Sequence, residues 1–274
     1  MTGGKSKTFR DGGVSESIGF LLIFTMVIAG IGLVTLYGYP LLLQQQTSAD
    51  EQIMEKNMVV LQNDVKSLAY KTVPYTETSM KVGSGSLTVY NTSSSSPSST
   101  IQIYDNNGIG YLSGYNSGDL RYESISADRD ISLQDGAVIS RNIIENGSAM
   151  LAEPRWFYDS PTNTMVVNLI GINSTDILSR VGISTVQMEL GSANFTSYTI
   201  SPGTIVSLEF TPDPLHPVQD YSVAWDNYFT NTLKMTRSSG LPDTGAPVTY
   251  QLPFDTTRTG TLTIKKYDVN IESL

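Results

Sequence analysis

The sequence predicts an α+β protein: a long N-terminal α-helix, hydrophobic in its first half and amphipathic in its second, followed by a β-rich, antiparallel, sandwich-like head. Three observations carry this. No charged residue occurs between Ser17 and Ala49, a run longer than the roughly 20 apolar residues that cross a bilayer at helical rise. Met54, Met58, Leu61, Val65 and Leu68 then recur on one helical face, with Glu51, Glu55, Lys56, Asp64 and Lys66 mostly off it. From Tyr75 onward the texture changes to short alternating runs punctuated by Gly, Pro, Asn and Ser, the signature of antiparallel strands and turns.

The helix is expected over residues 14–73, with 14–49 as its hydrophobic part and 50–73 as its amphipathic part. Pro74 disfavours helix in the residue before it, which places the stop near Thr72. Pro40 lacks a backbone donor and crowds the Leu36 carbonyl, so a kink or loosened turn is expected there. Gly19, Thr25, Ala29, Gly30, Gly32 and Gly38 let helices approach closely, but their irregular spacing specifies no single packing face.

The head is expected over 74–274, long enough to bury a core without disulfides. Strands are predicted at 80–82, 86–90, 100–104, 119–125, 137–141, 165–170, 185–190, 195–200, 205–210, 248–252 and 260–271. Tyr221, Trp225, Tyr228 and Phe229 share one helical face, with Asp220 as N-cap, and their expected fate is burial against the sheet. Asn91 to Ser99 is low-complexity and too polar to pack, which suits a solvated hairpin tip.

What precedes the apolar run narrows its meaning. Lys5, Lys7 and Arg10 lie ahead of it and Asp50 and Glu51 behind it, so the basic-side-in rule places the N-terminus in the cytoplasm and the head outside. Nothing like a small-residue secretory cleavage site follows the run, which continues directly into the charged helix. Asp11-Gly12-Gly13, then Val14-Ser15-Glu16-Ser17-Ile18-Gly19-Phe20 running into the apolar stretch, resembles the start of archaeal type IV pilin-like proteins, which carry a class III signal peptide.

The resemblance covers roughly the first 70 residues and implies several expectations. A prepilin peptidase would remove residues 1–13 on the cytoplasmic side by cutting between Gly13 and Val14, with cleavage after Asp11 as the main alternative. The mature chain would leave the membrane to join copies of itself in a helical extracellular filament, with the help of pilus assembly machinery. Its role would be structural and adhesive, as a pilin or as the neighbouring archaellin type. Glu16, the acidic side chain attached to the apolar segment, would need a cation once buried. The new α-amine, on its own or the preceding subunit, is the nearest candidate. The alternative of a different kind is an uncleaved, signal-anchored surface domain that binds a ligand or carbohydrate.

Composition fits the extracellular side. The formal net charge is −9, and losing residues 1–13 takes it to −11. With no basic patch, nucleic acid is not an expected partner. Four sequons, at Asn91, Asn146, Asn173 and Asn194, are possible sites of N-glycosylation. No catalytic, cofactor or metal site is expected. His216 is the single histidine, in a Pro-rich loop, and cysteine is absent. Asp105 to Gly108 lacks the ligand spacing of a calcium loop and reads as a turn.

Overall fold

The computed structural model describes residues 12–71, 73–92, 99–125, 129–144, 147–213 and 220–274, with side chains from Ser17 onward. It divides into two compact units, one ending at Ser48 and one comprising Ala49–Leu274. The first contains α1 (Gly12–Leu33), a π-turn (Val34–Gly38) and the start of α2 (Tyr39–Tyr70). The loosened turn expected at Pro40 takes the form of this π-turn directly ahead of it, in which the Tyr39 amide reaches back to the Val34 carbonyl. Thr25 and Thr35 donate their hydroxyls to the Leu21 and Ile31 carbonyls, both at 2.9 Å, so neither is left unsatisfied on an apolar helix.

In the second unit α2 ends at Tyr70, against an expected stop near Thr72, which lies outside the described residues. A long β1 (Tyr75–Tyr90) follows, then β2 (Thr100–Asp105), β3 (Gly110–Asn116), β4 (Asp119–Ser124), β5 (Arg129–Gln134), β6 (Ala137–Asn142), β7 (Gly147–Ala152) and β8 (Phe157–Asp159). The chain continues through β9 (Thr164–Asn173), β10 (Ser179–Ile200), β11 (Ile205–Thr211), α3 (Ser222–Asn227), β12 (Thr236–Ser239), β13 (Val248–Pro253) and β14 (Gly260–Ser273). They form a nine-stranded sheet in the order β7-β6-β5-β4-β1-β10-β14-β9-β8 and a five-stranded sheet in the order β12-β13-β11-β2-β3.

The β-rich head is as the sequence predicts, with one correction: β14 pairs parallel with β9, from Thr261↔Thr164 to Asn270↔Asn173. After β10 the chain leaves to build the second sheet and returns as β14 between β9 and β10, which run in opposite directions. A strand inserted there is antiparallel to β10 and therefore parallel to β9.

Side-chain alternation gives the nine-stranded sheet two buried faces. Met165, Val167, Leu169, Leu262, Ile264, Ala137 and Ile139 join one core, with Ile101, Ile103, Val206, Leu208, Phe210, Val248 and Tyr250 of the smaller sheet and with α3. The intervening Ile170, Ile172, Val269, Ile271 and Val138 join a second core beneath α2. Here Met54, Met58, Leu61 and Leu68 are fully buried and Val65 nearly so, as the helical spacing requires. Burial of such side chains stabilises by about 1.5–3 kcal/mol each relative to exposure, so α2 from Ala49 onward is an integral layer of the head. Gln62, off the apolar stripe, donates to the Gly136, Ala152 and Glu153 carbonyls at 2.6, 3.2 and 3.1 Å. It thereby ties the helix to the β5–β6 turn and to the end of β7.

The expected aromatic helix is α3, running into a π-turn over Tyr228–Thr232. Trp225, Tyr228 and Phe229 are buried and pack against Trp156, as expected of a core cluster. Asp220 caps from one position before the assigned N-cap, accepting from the Ser222 amide at 2.8 Å. Gly118, at φ +66, forms the β3–β4 turn, where a Cβ would lie 2.2 Å from the Ile172 carbonyl oxygen; no other residue fits there.

Candidate functional site: apolar helix, sequons and a cationic pocket

The unit ending at Ser48 contains the helix that is long and apolar enough, by length and composition, to cross a membrane. Its large side chains are exposed all round: Phe20, Met26, Leu36 and Tyr37 are each more than 70 % accessible. Such a surface is incompatible with bare water over this length and needs lipid or other apolar helices around it. The Gly13–Val14 bond lies in the first turn of α1. The leader residues Lys5, Lys7, Arg10 and Asp11 and the side chains of Val14 and Glu16 lie outside the described residues, as do Asn146 and His216.

Two of the sequons meet. Asn91, just past β1, accepts at Oδ1 from the Ser174 amide (2.8 Å) and hydroxyl (2.9 Å), and its Nδ2 donates to the Ser174 carbonyl (3.1 Å). Asn173, at the end of β9, returns the arrangement: its Oδ1 accepts from the Thr92 amide (3.2 Å) and hydroxyl (2.5 Å). The pair forms a reciprocal clasp between loops distant in sequence, and at Asn91 the nitrogen that would carry a glycan donates one of its two hydrogens to this clasp. Asn194 differs. It lies exposed on β10, paired with Lys266 across the ladder, beside a small cleft shared with Thr196, Tyr198 and Tyr111. Asp105 to Gly108 forms the expected turn, with Asp105 accepting from the Asn107 and Ile109 amides, both at 2.9 Å.

A site that sequence reading did not single out lies where α2 ends. A pocket of about 400 Å³ is lined by Tyr70, Arg155, Trp156, Phe157, Val166, Asn168 and Lys265. The face of the large sheet that α2 covers continues past Tyr70, and β8, β9 and β14 bring Phe157, Val166 and Lys265 to that uncovered part. Trp156 is fixed by donating its indole N–H to the Asn168 carbonyl at 2.6 Å, and the Asn168 amide donates back to the Arg155 carbonyl. The Arg155 guanidinium lies 5.0 Å over the Tyr70 ring, and Lys265 Nζ lies 5.9 Å over Phe195. Burial lowers the Lys66 ammonium below its ordinary value and the nearby Arg155 charge adds to this, while Glu153 opposes it. Burial also raises the Tyr70 phenol, which stays protonated. Arg155-Trp156-Phe157 was the local signal available in sequence; Tyr70 and Lys265 come from elements far away.

Among the described residues no group of three or more His, Cys, Asp or Glu side chains is placed to hold a metal. No curated protein and no solved structure matches the chain significantly. One family model does, spanning residues 12–272, and the chain therefore belongs to DUF7289, a family of unknown function.

Proposed function

We propose that this chain is the structural subunit of a type IV pilus-like extracellular filament, inserted in the membrane as a single-pass protein before assembly. The observation that carries the reading is a helix whose apolar side chains are uncovered on every side, preceded by a basic leader ending in Gly12-Gly13. Lipid covers that helix before assembly, and copies of the same helix cover it afterwards. The head packs onto the second half of α2 and supplies the outer wall. Of the described sequons, Asn194 is the one whose amide is exposed and without a hydrogen bond among the described residues, so a surface glycan belongs there first.

Processing is the primary test. Mass spectrometry of the chain recovered from the cell surface is expected to give Val14 as the N-terminal residue. A chain retaining Met1 or Thr2 would overturn the filament reading and leave an anchored surface domain.

Glu16→Gln gives the second test. Pairing of this carboxylate with the α-amine predicts normal cleavage and membrane insertion, with filament yield by electron microscopy reduced at least about tenfold, since an unpaired buried charge is costly. If Glu16 only favoured the positive end of the helix, a contribution of about 0.3–1 kcal/mol, filaments would form at wild-type yield.

A further inference from the structure

We infer that the pocket at the C-terminal end of α2 is a binding site for an acidic sugar, a uronate residue of a polysaccharide. Its cations have no acidic partners in place. Lys81, Arg121, Arg129, Arg141, Arg237 and Arg258 each pair with a carboxylate within 4 Å. Among the described residues Arg155 and Lys265, like Lys56, Lys66, Lys71, Arg180, Lys234 and Lys266, pair with none; these two share one pocket, with their charged groups over aromatic rings. In a chain of net charge −9, a pocket with two such cations is a local reversal of sign. Glu153, the carboxylate whose charge acts on Lys66, accepts from the Thr232 hydroxyl at 3.0 Å.

The geometry suits a carboxylate joined to a ring. The Arg155 guanidinium, with Cζ 5.0 Å over the Tyr70 ring, lines the pocket, and a guanidinium is suited to bidentate recognition of a carboxylate. Phe157 is 51 % exposed and, with Val166, offers an apolar surface for the C–H face of a sugar. Next to Lys265 and Phe195 on the same side of the sheet, Ser197 and Thr263 form an exposed cross-strand hydroxyl pair at 3.0 Å. A polyhydroxylated ligand matches all three features, whereas an aliphatic or aromatic acid would leave the hydroxyls unused. The pocket volume of about 400 Å³ lies at the small end of the roughly 300–1,000 Å³ that ligand sites span, enough for one or two sugar residues.

The position is also suitable. Tyr70 lies roughly 30 Å along α2 from Asp50 by helical rise, at the C-terminal end of that helix. The pocket is built by a single chain, and the test is done on dispersed protein.

The full chain in a non-ionic polyoxyethylene detergent, which carries no sugar, is titrated with trigalacturonate, with neutral maltotriose and with sodium acetate, by calorimetry. Trigalacturonate is expected to bind saturably, and maltotriose and acetate at least about tenfold more weakly. Arg155→Gln and Lys265→Gln are each expected to weaken trigalacturonate roughly tenfold and Phe157→Ala several-fold, with unchanged melting temperatures. Absence of saturable trigalacturonate binding, or binding indifferent to Arg155→Gln and Lys265→Gln, would overturn the site. Acetate binding as tightly as trigalacturonate would reduce it to a bare anion site and overturn the sugar assignment.

Discussion

Asp135→Asn is expected to make the protein more stable at neutral pH and to flatten its pH–stability profile. Asp135 and Gly136 form the two-residue turn between β5 and β6, with φ of 49° and 73°, the left-handed pair that a type I′ hairpin requires. The turn is not at the surface. Asp135 is 2 % exposed, and its Oδ1 has no hydrogen-bond partner among the described residues. Burial pushes its carboxyl up to about 7, outweighing the Ser117 hydroxyl and the Ile170 amide, which favour the charged form. The neighbouring Tyr115 hydroxyl, buried and likewise without a partner, is itself raised and stays neutral.

Because the folded value lies above the ordinary carboxylate value, the stability held by neutral Asp135 is fully present at about pH 4 and lost as pH rises through 7. The loss amounts to about 4 kcal/mol on complete ionisation. Asparagine keeps the turn, since Asn-Gly is the preferred type I′ pair, and carries no charge at any pH. Urea melts of the full chain in detergent from about pH 4 to pH 8 are expected to show wild type falling more steeply than Asp135→Asn, with the variant about 2–4 kcal/mol ahead at the upper end. Parallel profiles would show that Asp135 is solvated or otherwise paired. Asp135→Ala also lacks the charge but forces alanine into a left-handed conformation at a cost of about 1 kcal/mol, so a smaller gain from alanine separates charge from turn chemistry.

Where local pattern decided the structure, sequence was a good guide. The Met54-to-Leu68 stripe is a property of one segment, and the buried face of α2 is that stripe. The strands were harder to read wherever glycine interrupts the alternation. β1 reads as two strands because Gly83-Ser84-Gly85 carries its register shifts. β10 likewise reads as two around the irregularity between Leu190 and Ser192. β3, β5, β7, β8 and β12 were not anticipated: β3, β7 and β12 are rich in Gly, Ser or Thr, β5 carries charge, and β8 is a short edge strand. The parallel β9–β14 pairing joins segments about ninety residues apart and follows from strand insertion, which no local pattern reports. The pocket was hidden for the same reason: Arg155-Trp156-Phe157 is its one local run, and Tyr70 of α2 and Lys265 of β14 are brought to it only by the tertiary fold.

Arg121→Leu is expected to be strongly destabilising, by about 3–5 kcal/mol at neutral pH. Asp119 and Arg121 alternate with Leu120 and Tyr122 on β4, so they point away from the α2 core. Both are almost fully buried, and they pair at 2.8 Å. Ser132 donates to the other Asp119 oxygen at 2.6 Å, while Tyr90 and Tyr221 receive the guanidinium at 4.5 and 6.0 Å. Burial raises the Asp119 carboxyl even with Arg121 and Ser132 opposing it. Without the guanidinium its folded value climbs further, so the variant loses stability as pH rises and its deficit narrows on acidification, when Asp119 takes up a proton. Adding Asp119→Asn to Arg121→Leu removes the stranded charge, and the double variant is expected to recover most of the loss, because replacing a buried pair is far less costly than breaking it. Urea melts of the two single variants and the double one give the coupling directly. A single Arg121→Leu variant within about 1 kcal/mol of wild type at neutral pH, with no narrowing in acid, would show that Asp119 is neutral in the wild-type protein and that its pairing with Arg121 contributes little to stability.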